Sequence, residues 1–265
     1  MSDRRERDVS AGVPAVRTVP YPRFQEQTID WLELAQRRHA MQALIELDIT
    51  AARAAIRDAR RRTGEPLGFT AYLVACLARS VAADRRIAAL RHGRRRLMVF
   101  RDVDVAMPVE SDVESEAIPV PHIIRRADQK SLTRLSREIA GAASGPVPYA
   151  VGRRALGIWL LLPAWMRRRA MAMILADARR RRRLTGTVMV TVVALPGSGR
   201  AWGLPNGTNY PISLVVGGVR RGADGRESVA LTLSFDHDTV NGAPAARFVR
   251  RFARLVESAA LLDDI

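Results

Sequence analysis

Between positions 229 and 236 apolar and polar side chains alternate strictly. Val229, Leu231, Leu233 and Phe235 stand against Ala230, Thr232, Ser234 and Asp236. A period of two marks a strand with one face in a core. Asn241 and Gly242 follow as turn residues, since both tolerate positive φ. Phe248, Val249, Phe252, Leu255, Val256 and Ala259 then recur at helical spacing, opposite Arg247, Arg250, Arg251 and Arg254. A strand, a turn and an amphipathic helix are predicted in succession.

Upstream the pattern predicts further elements. Residues 23–41 mix charge with Trp31, Leu32 and Leu34 and predict a first helix. Residues 43–49 alternate as a strand, and Thr50 is placed to cap a helix starting at Ala51. A buried helix is expected over 69–83, a basic turn over 91–96, and a strand over 99–108 with Val103, Val105 and Met107 on one face. Ser131 is placed to cap a helix whose apolar line is Leu132, Leu135 and Ile139. Strands at 187–195 and 212–219 complete the set. Strands and helices mix without strict βαβ alternation, which predicts an α/β sandwich: a mixed β-sheet flanked by helices. Residues 1–20 read as a flexible N-terminal arm, and 21–265 as one domain long enough for a proper core. No internal repeat, P-loop or GxGxxG fingerprint is present.

Charge changes the picture of partners. Lys and Arg total 43 against 27 Asp and Glu, a net charge of +16 over 265 residues. Such a balance favours a phosphate-bearing cofactor, nucleic acid or an anionic membrane surface, although a high-GC genome inflates arginine in the same way. No nucleic-acid-binding motif is found, so no nucleic-acid partner is expected. The single cysteine, Cys76, supports no intramolecular disulfide and points to a reducing, cytoplasmic setting. Residues 1–8 are charged, with no apolar h-region after them, and do not read as a signal peptide. The four histidines have no metal-ligand spacing, so no metal is expected.

Residues 152–184 stand apart. An apolar run at 155–165 is too short to span a bilayer and is interrupted by Pro163. Eight arginines follow: Arg167, Arg168, Arg169 and Arg179 through Arg183. The leading expectation is a helix pair with its charge solvated. Interfacial membrane docking takes second place, and a nucleic-acid or partner surface third.

His237 follows the predicted strand directly, within Ser234-Phe235-Asp236-His237-Asp238. A histidine at a strand end is held by a rigid element and faces an edge that substrates reach, as a general base requires. His39, His92 and His122 have no comparable context.

This stretch resembles the catalytic signature of the chloramphenicol acetyltransferase and dihydrolipoamide acyltransferase superfamily: a His, three residues, then Asp-Gly. Here it runs from His237 to Asn241-Gly242. Glu46-Leu47-Asp48-Ile49-Thr50 is similar to an early strand of that family. Ala117 to His122 and Ala127 to Leu132 are similar to its Val-Pro-Val-Ile stretch and a helix entry. Gly186 to Thr191 is similar to the strand carrying its catalytic Ser or Thr. The resemblance covers roughly residues 35–262, with four motifs in the family's order.

It implies a chloramphenicol acetyltransferase-like fold and a homotrimer, or a multiple of trimers, whose sites form between two chains and near whose subunit contacts residues 152–184 would pack. The expected activity is that of a stand-alone acyltransferase. It would move an acyl group between coenzyme A and a thiol, hydroxyl or amine acceptor by direct general-base-assisted transfer. His237 is expected to be the base, Thr191 the hydroxyl that binds the oxyanion, and Asn241 the support of the histidine loop, in place of the family's usual Asp. No lipoyl or peripheral subunit-binding domain is recognised, so a lipoyl acceptor would come in trans from a lipoyl domain on another chain. Val192 to Gly197 replaces the family's Asn-Leu-Gly-Met, a change expected to reshape the substrate tunnel. The alternative is a non-catalytic trimeric scaffold of the same fold.

Overall fold

In a computed structural model the described residues are 18, 21, 23–93, 95–113, 116–144, 153–193 and 201–262. The expected arm at 1–20 lies, but for residue 18, outside them. Eight helices and eight strands occur among the described residues, in the order α1 (Arg23–Ala35), β1 (Ala40–Asp48), α2 (Thr50–Thr63), α3 (Phe69–Ala83), β2 (Leu90–His92), β3 (Arg96–Met98), β4 (Val105–Val113), β5 (Glu116–Ile124) and α4 (Leu132–Ser144). Then come α5 (Arg153–Leu160), α6 (Ala164–Ala176), α7 (Ala178–Thr185), β6 (Val188–Val192), β7 (Ile212–Arg221), β8 (Glu227–Asp236) and α8 (Gly242–Glu257). Strands β2 and β3 form a separate hairpin, which contains the expected basic turn.

The other six strands form one mixed sheet in the order β1-β8-β7-β6-β4-β5. Pairs β4–β6 and β6–β7 are parallel; the rest are antiparallel. The strict alternation of β8 does what it predicts. Val229, Leu231, Leu233 and Phe235 sit fully buried in one core with Val188, Val190, Ile212 and Leu214. Helices α2, α3 and α8 close that core through Ile56, Leu73, Leu77, Phe248 and Phe252. The Tyr72 hydroxyl donates to the carbonyls of Leu255 and Val256 at 2.8 and 2.9 Å, which fastens α3 to the end of α8. Burial pushes the Cys76 thiol in the same helix up to about 12, leaving it an inert core residue.

The segment from Ala201 to Pro211 crosses the opposite sheet face. Gln42 Nε2 donates to the Pro205 carbonyl at 2.8 Å, and Gly218 N to that of Ala201 at 2.8 Å. On this face Ser213, Thr232 and Ser234 are buried with hydroxyls that lack hydrogen-bond partners among the described residues, next to half-buried Thr191.

Several expectations need correcting. The strand expected from 99 begins only at Val105, because Asp128 takes the Val103 N–H at 3.0 Å and Asp104 turns its carbonyl to Thr187. Thr50 caps nothing. It is the first helical residue, its N–H is taken by the Asp48 carboxylate at 2.9 Å, and its hydroxyl accepts from Glu227 N at 2.8 Å. Ser131 does accept the Arg134 N–H, at 3.3 Å, as expected.

The arginines of 167–183 are not uniformly solvated. Arg167 is buried against Asp30 at 2.6 Å and Glu26 at 2.9 Å, and Arg168 meets Asp30 at 2.8 Å. Burial opposes the Arg167 charge, yet Asp30 and Glu26 hold its pKa above the ordinary value. Arg181 is buried as well, and Arg182 pairs with Asp102 and Asp104. Arg167, Arg168 and Arg182 fasten helices to the body of the protein, while Arg169, Arg179, Arg180 and Arg183 are exposed. Among the described residues no helix is long and apolar enough to cross a membrane.

Candidate active site

The loop after β8 is held on every side. Asp236 N donates to Pro211 O at 2.9 Å, and His237 N to His39 O at 2.7 Å. The Asp236 carbonyl accepts from Thr239 N and Val240 N, both at 3.0 Å, and from the Thr239 hydroxyl at 3.1 Å. Its carboxylate takes the Asp238 N–H at 3.1 Å and faces Arg38 at 3.6 Å. Asp238 in turn meets His39 Nδ1 at 2.8 Å. With its backbone fixed, the His237 side chain stands exposed at the strand end, where a base must be.

Arg38 and His39 are the residues that sequence reasoning missed. Both directly precede β1, whose register sets Ala40 opposite Asp236. Once β1 is known to pair with β8, these two residues must flank the histidine.

Asp236 is almost fully buried, and burial raises its pKa; Arg38, the Asp238 N–H and Arg181 pull it back only in part. Beneath it, burial and the charge of Arg38 depress Arg181 to about 10, while its guanidinium donates to the Asn209 carbonyl. The sign follows. A raised native pKa means that the fold binds this proton more tightly than the unfolded chain does. The stabilisation is complete below the ordinary aspartate value of about 3.9 and is lost as pH rises through the native value. Relative to Asp236→Asn, wild type should therefore lose stability over that window. Urea midpoints for the pair between pH 3.5 and 7 would show it; a gap moving the other way would place the ionised form as the stabilising one.

Asn241 sits otherwise than expected. Its φ of −89° and ψ of 168° are extended, so positive φ is not the reason for Asn-Gly here. It occupies the N-cap position of α8, exposed and making no side-chain capping bond, while its carbonyl accepts from Ala245 N at 3.2 Å. Within one chain, the bracing of the histidine loop comes from Asp236 and Asp238.

Thr191 lies in β6, level with Val215 and, one strand further, Thr232. His237 stands beyond the end of β8. The two are thus separated by roughly 17 Å along the strands and about 10 Å across them. One chain does not bring them together.

The strand that carries Thr191 is anchored at Asp104. Its carbonyl accepts from Thr187 N and Val188 N at 2.9 and 3.1 Å. Its carboxylate accepts from Arg125 at 3.0 Å, Arg182 at 2.9 Å and Arg126 N at 3.0 Å. Gly186, at φ 75°, turns the chain so closely that a Cβ would stand 2.9 Å from the Asp104 carbonyl oxygen. Gly186→Ala should cost about 1–3 kcal/mol from strain and contact together. Denaturant unfolding measures it, and an unchanged midpoint would show that β6 relaxes freely.

His122 lies on β5 and faces Glu138 at 3.7 Å, away from this loop. Among the described residues no group of three or more His, Cys, Asp or Glu is arranged to hold a metal ion.

No family model and no curated protein matches the chain. Solved structures do. The dihydrolipoamide acetyltransferase of Azotobacter vinelandii superposes with a TM-score of 0.67 at 20% identity, over 93% of this chain and 94% of that one. The cubic core of a pyruvate dehydrogenase multienzyme complex gives 0.65 at 21%, over 93% and 94%. A chloramphenicol acetyltransferase gives 0.50 at 11%, over 91% and 95%. The chain therefore has the α/β fold of the chloramphenicol acetyltransferase-like proteins, in the form seen in dihydrolipoamide acyltransferase catalytic cores. The Azotobacter work concerned the role of a serine, a histidine and an asparagine in that enzyme's catalytic mechanism; its histidine and asparagine are four positions apart.

Proposed function

We propose that this protein is an acyltransferase moving an acyl group between coenzyme A and a thiol, hydroxyl or amine acceptor, with His237 as general base. The observation that carries the reading is the His237 loop: an exposed histidine side chain on a backbone locked by His39, Asp236 and Asp238. His237 and Asn241 keep the four-position spacing of the histidine and asparagine studied in the Azotobacter enzyme. Asn241 stands where the loop enters α8, at the N-cap position.

His237 takes the acceptor proton as the acceptor attacks the thioester carbonyl. The Thr191 hydroxyl donates to the oxyanion that forms, a contact of the kind whose loss costs about 2.7–4 kcal/mol. Collapse breaks the carbon–sulfur bond, and the protonated histidine returns its proton to the leaving thiolate. For both to act in one site, His237 and Thr191 meet between neighbouring subunits, the arrangement that a trimer offers. A lipoyl group presented by another chain fits the acceptor class.

Coenzyme A needs cationic donors for its phosphates. An open cleft of about 800 Å³ lined by Arg91, His92, Gly93, Arg95 and Arg96 has that chemistry. Helix α7 links it to the histidine loop: it packs against β2, which carries Arg91 and His92, and its Arg181 lies beside Asp236.

The test is release of free coenzyme A from a panel of acyl-CoA thioesters with dihydrolipoamide, an amine and an alcohol as acceptors, alongside sedimentation of the same sample. Acceptor-dependent release by a trimer is expected. A trimer inert with every pair would instead mark the fold as a scaffold, and an active monomer would remove Thr191 from the site.

A further inference from the structure

Four of the five most exposed large apolar side chains among the described residues fall within sixteen positions: Ile158 at 66%, Leu161 at 75%, Trp165 at 68% and Met173 at 60%. The fold explains why they point outward. On α6, Arg167 and Leu175 are buried, and Arg167 and Arg168 are drawn to Asp30 of α1. At 100° per residue, Trp165 lies on the far side from Arg167, and Arg169, Ala172 and Met173 follow it at helical spacing. The turn after α5 sets Leu161 four positions before Trp165, with Leu161 N donating to Ile158 O at 3.2 Å. Arg37, from the turn after α1, joins Trp165, Arg168, Arg169 and Ala172 around a cleft of about 290 Å³. Arg37 and Arg169 are exposed and form no ion pair among the described residues.

We infer that this face, an apolar ridge of Ile158, Leu161, Trp165 and Met173 edged by Arg37 and Arg169, seats the protein on an anionic lipid surface. An apolar ridge beside free guanidinium groups fits the boundary between headgroups and acyl chains, with Trp165 at the level where indole rings settle. Charge selects the occupant. A second copy docking through the same face by a two-fold axis would set Arg37 and Arg169 against their own duplicates, a like-charge juxtaposition that disfavours the contact. A bilayer of net negative charge meets both arginines favourably, and the chain's net charge of +16 draws it there. Neither arginine holds the fold together, unlike Arg167 and Arg168.

The experiment is co-sedimentation of the full chain with vesicles of phosphatidylcholine alone or with 30 mol% phosphatidylglycerol, at about 0.15 M salt, the ionic strength at which charge is screened beyond about 8 Å. Binding to the acidic vesicles alone is expected. Arg37→Gln with Arg169→Gln should weaken it about 30-fold, two arginines at about 1 kcal/mol each. Leu161→Ser with Trp165→Ser should weaken it at least about tenfold. Circular dichroism and thermal unfolding check that both double variants remain folded, as exposed positions allow. Failure of wild type to bind overturns the inference. So does binding that ignores the Leu161 and Trp165 changes, which would be adsorption of any polyanion. A Leu161/Trp165 variant that breaks an oligomer into single chains would reassign the face to a subunit contact. None of these outcomes touches the coenzyme A assay.

Discussion

His237→Ala is expected to lower acyl transfer by about 10²–10⁴-fold, the range for loss of a positioned general base, while leaving the fold unchanged. The structure separates the two effects. The hydrogen bonds that hold this residue in place, from His237 N to His39 O and through the turn closed on the Asp236 carbonyl and carboxylate, do not use its side chain. An alanine keeps all of them, and the side chain it removes is exposed. Thermal unfolding should match wild type to within about 0.5 kcal/mol, as for other surface substitutions. Steady-state rates with the best acyl-CoA and acceptor pair provide the check. An unchanged rate would take His237 out of the chemistry, and a collapsed melting transition would make it a structural residue.

The largest effect on stability is expected from Asp30→Ala, at about 3–5 kcal/mol, the usual cost of breaking a buried pair by removing one partner. Asp30 is 1% exposed and splits its two oxygens between Arg167 and Arg168, at 2.6 and 2.8 Å. Without it, the buried Arg167 keeps Glu26 and the Leu162 carbonyl, at 2.9 and 2.7 Å, too little for a charge removed from water. A domain of ordinary stability has about 5–15 kcal/mol to lose, so the variant should approach the edge of folding. The damage should also reach the site, because α1 leads directly into Arg38 and His39. Urea unfolding measures the loss. A change under about 1 kcal/mol would mean that both arginines swing out to water.

How much of this could be read from the residues depends on distance along the chain. Helix α3 was legible to its ends because the run from Phe69 to Ala83 is apolar on nearly every side. Strand β8 and helix α8 were legible because their faces differ so sharply in polarity. The pattern that suggested a strand from 99 was weaker, and the side chain that overrides it, Asp128, comes from 25 positions away. Arg167 reads as one member of a charged run; what buries it is Asp30, 137 positions earlier. His39 has no local feature to distinguish it, and its place beside His237 follows only from the pairing of β1 with β8. Asn-Gly signalled a change of direction correctly, but an extended N-cap and a positive-φ turn favour the same residues.

The same pairing of β1 with β8 governs how the protein is made. His39 and Asp238 are 199 positions apart, and Asp30 and Arg167 are 137. Strand β1 must therefore wait, both edges unpaired, until β8 has been synthesised. At about 5–20 residues per second that wait lasts on the order of ten seconds or more. Contacts of such long range also slow the final closure, because the loop entropy is lost before the pairing stabilises anything. Strand β1, which carries Met41, Ala43 and Ile45 toward the core, is then an exposed edge open to other nascent chains. Production of this protein should accordingly be more sensitive to translation speed and to chaperone supply than its finished stability suggests.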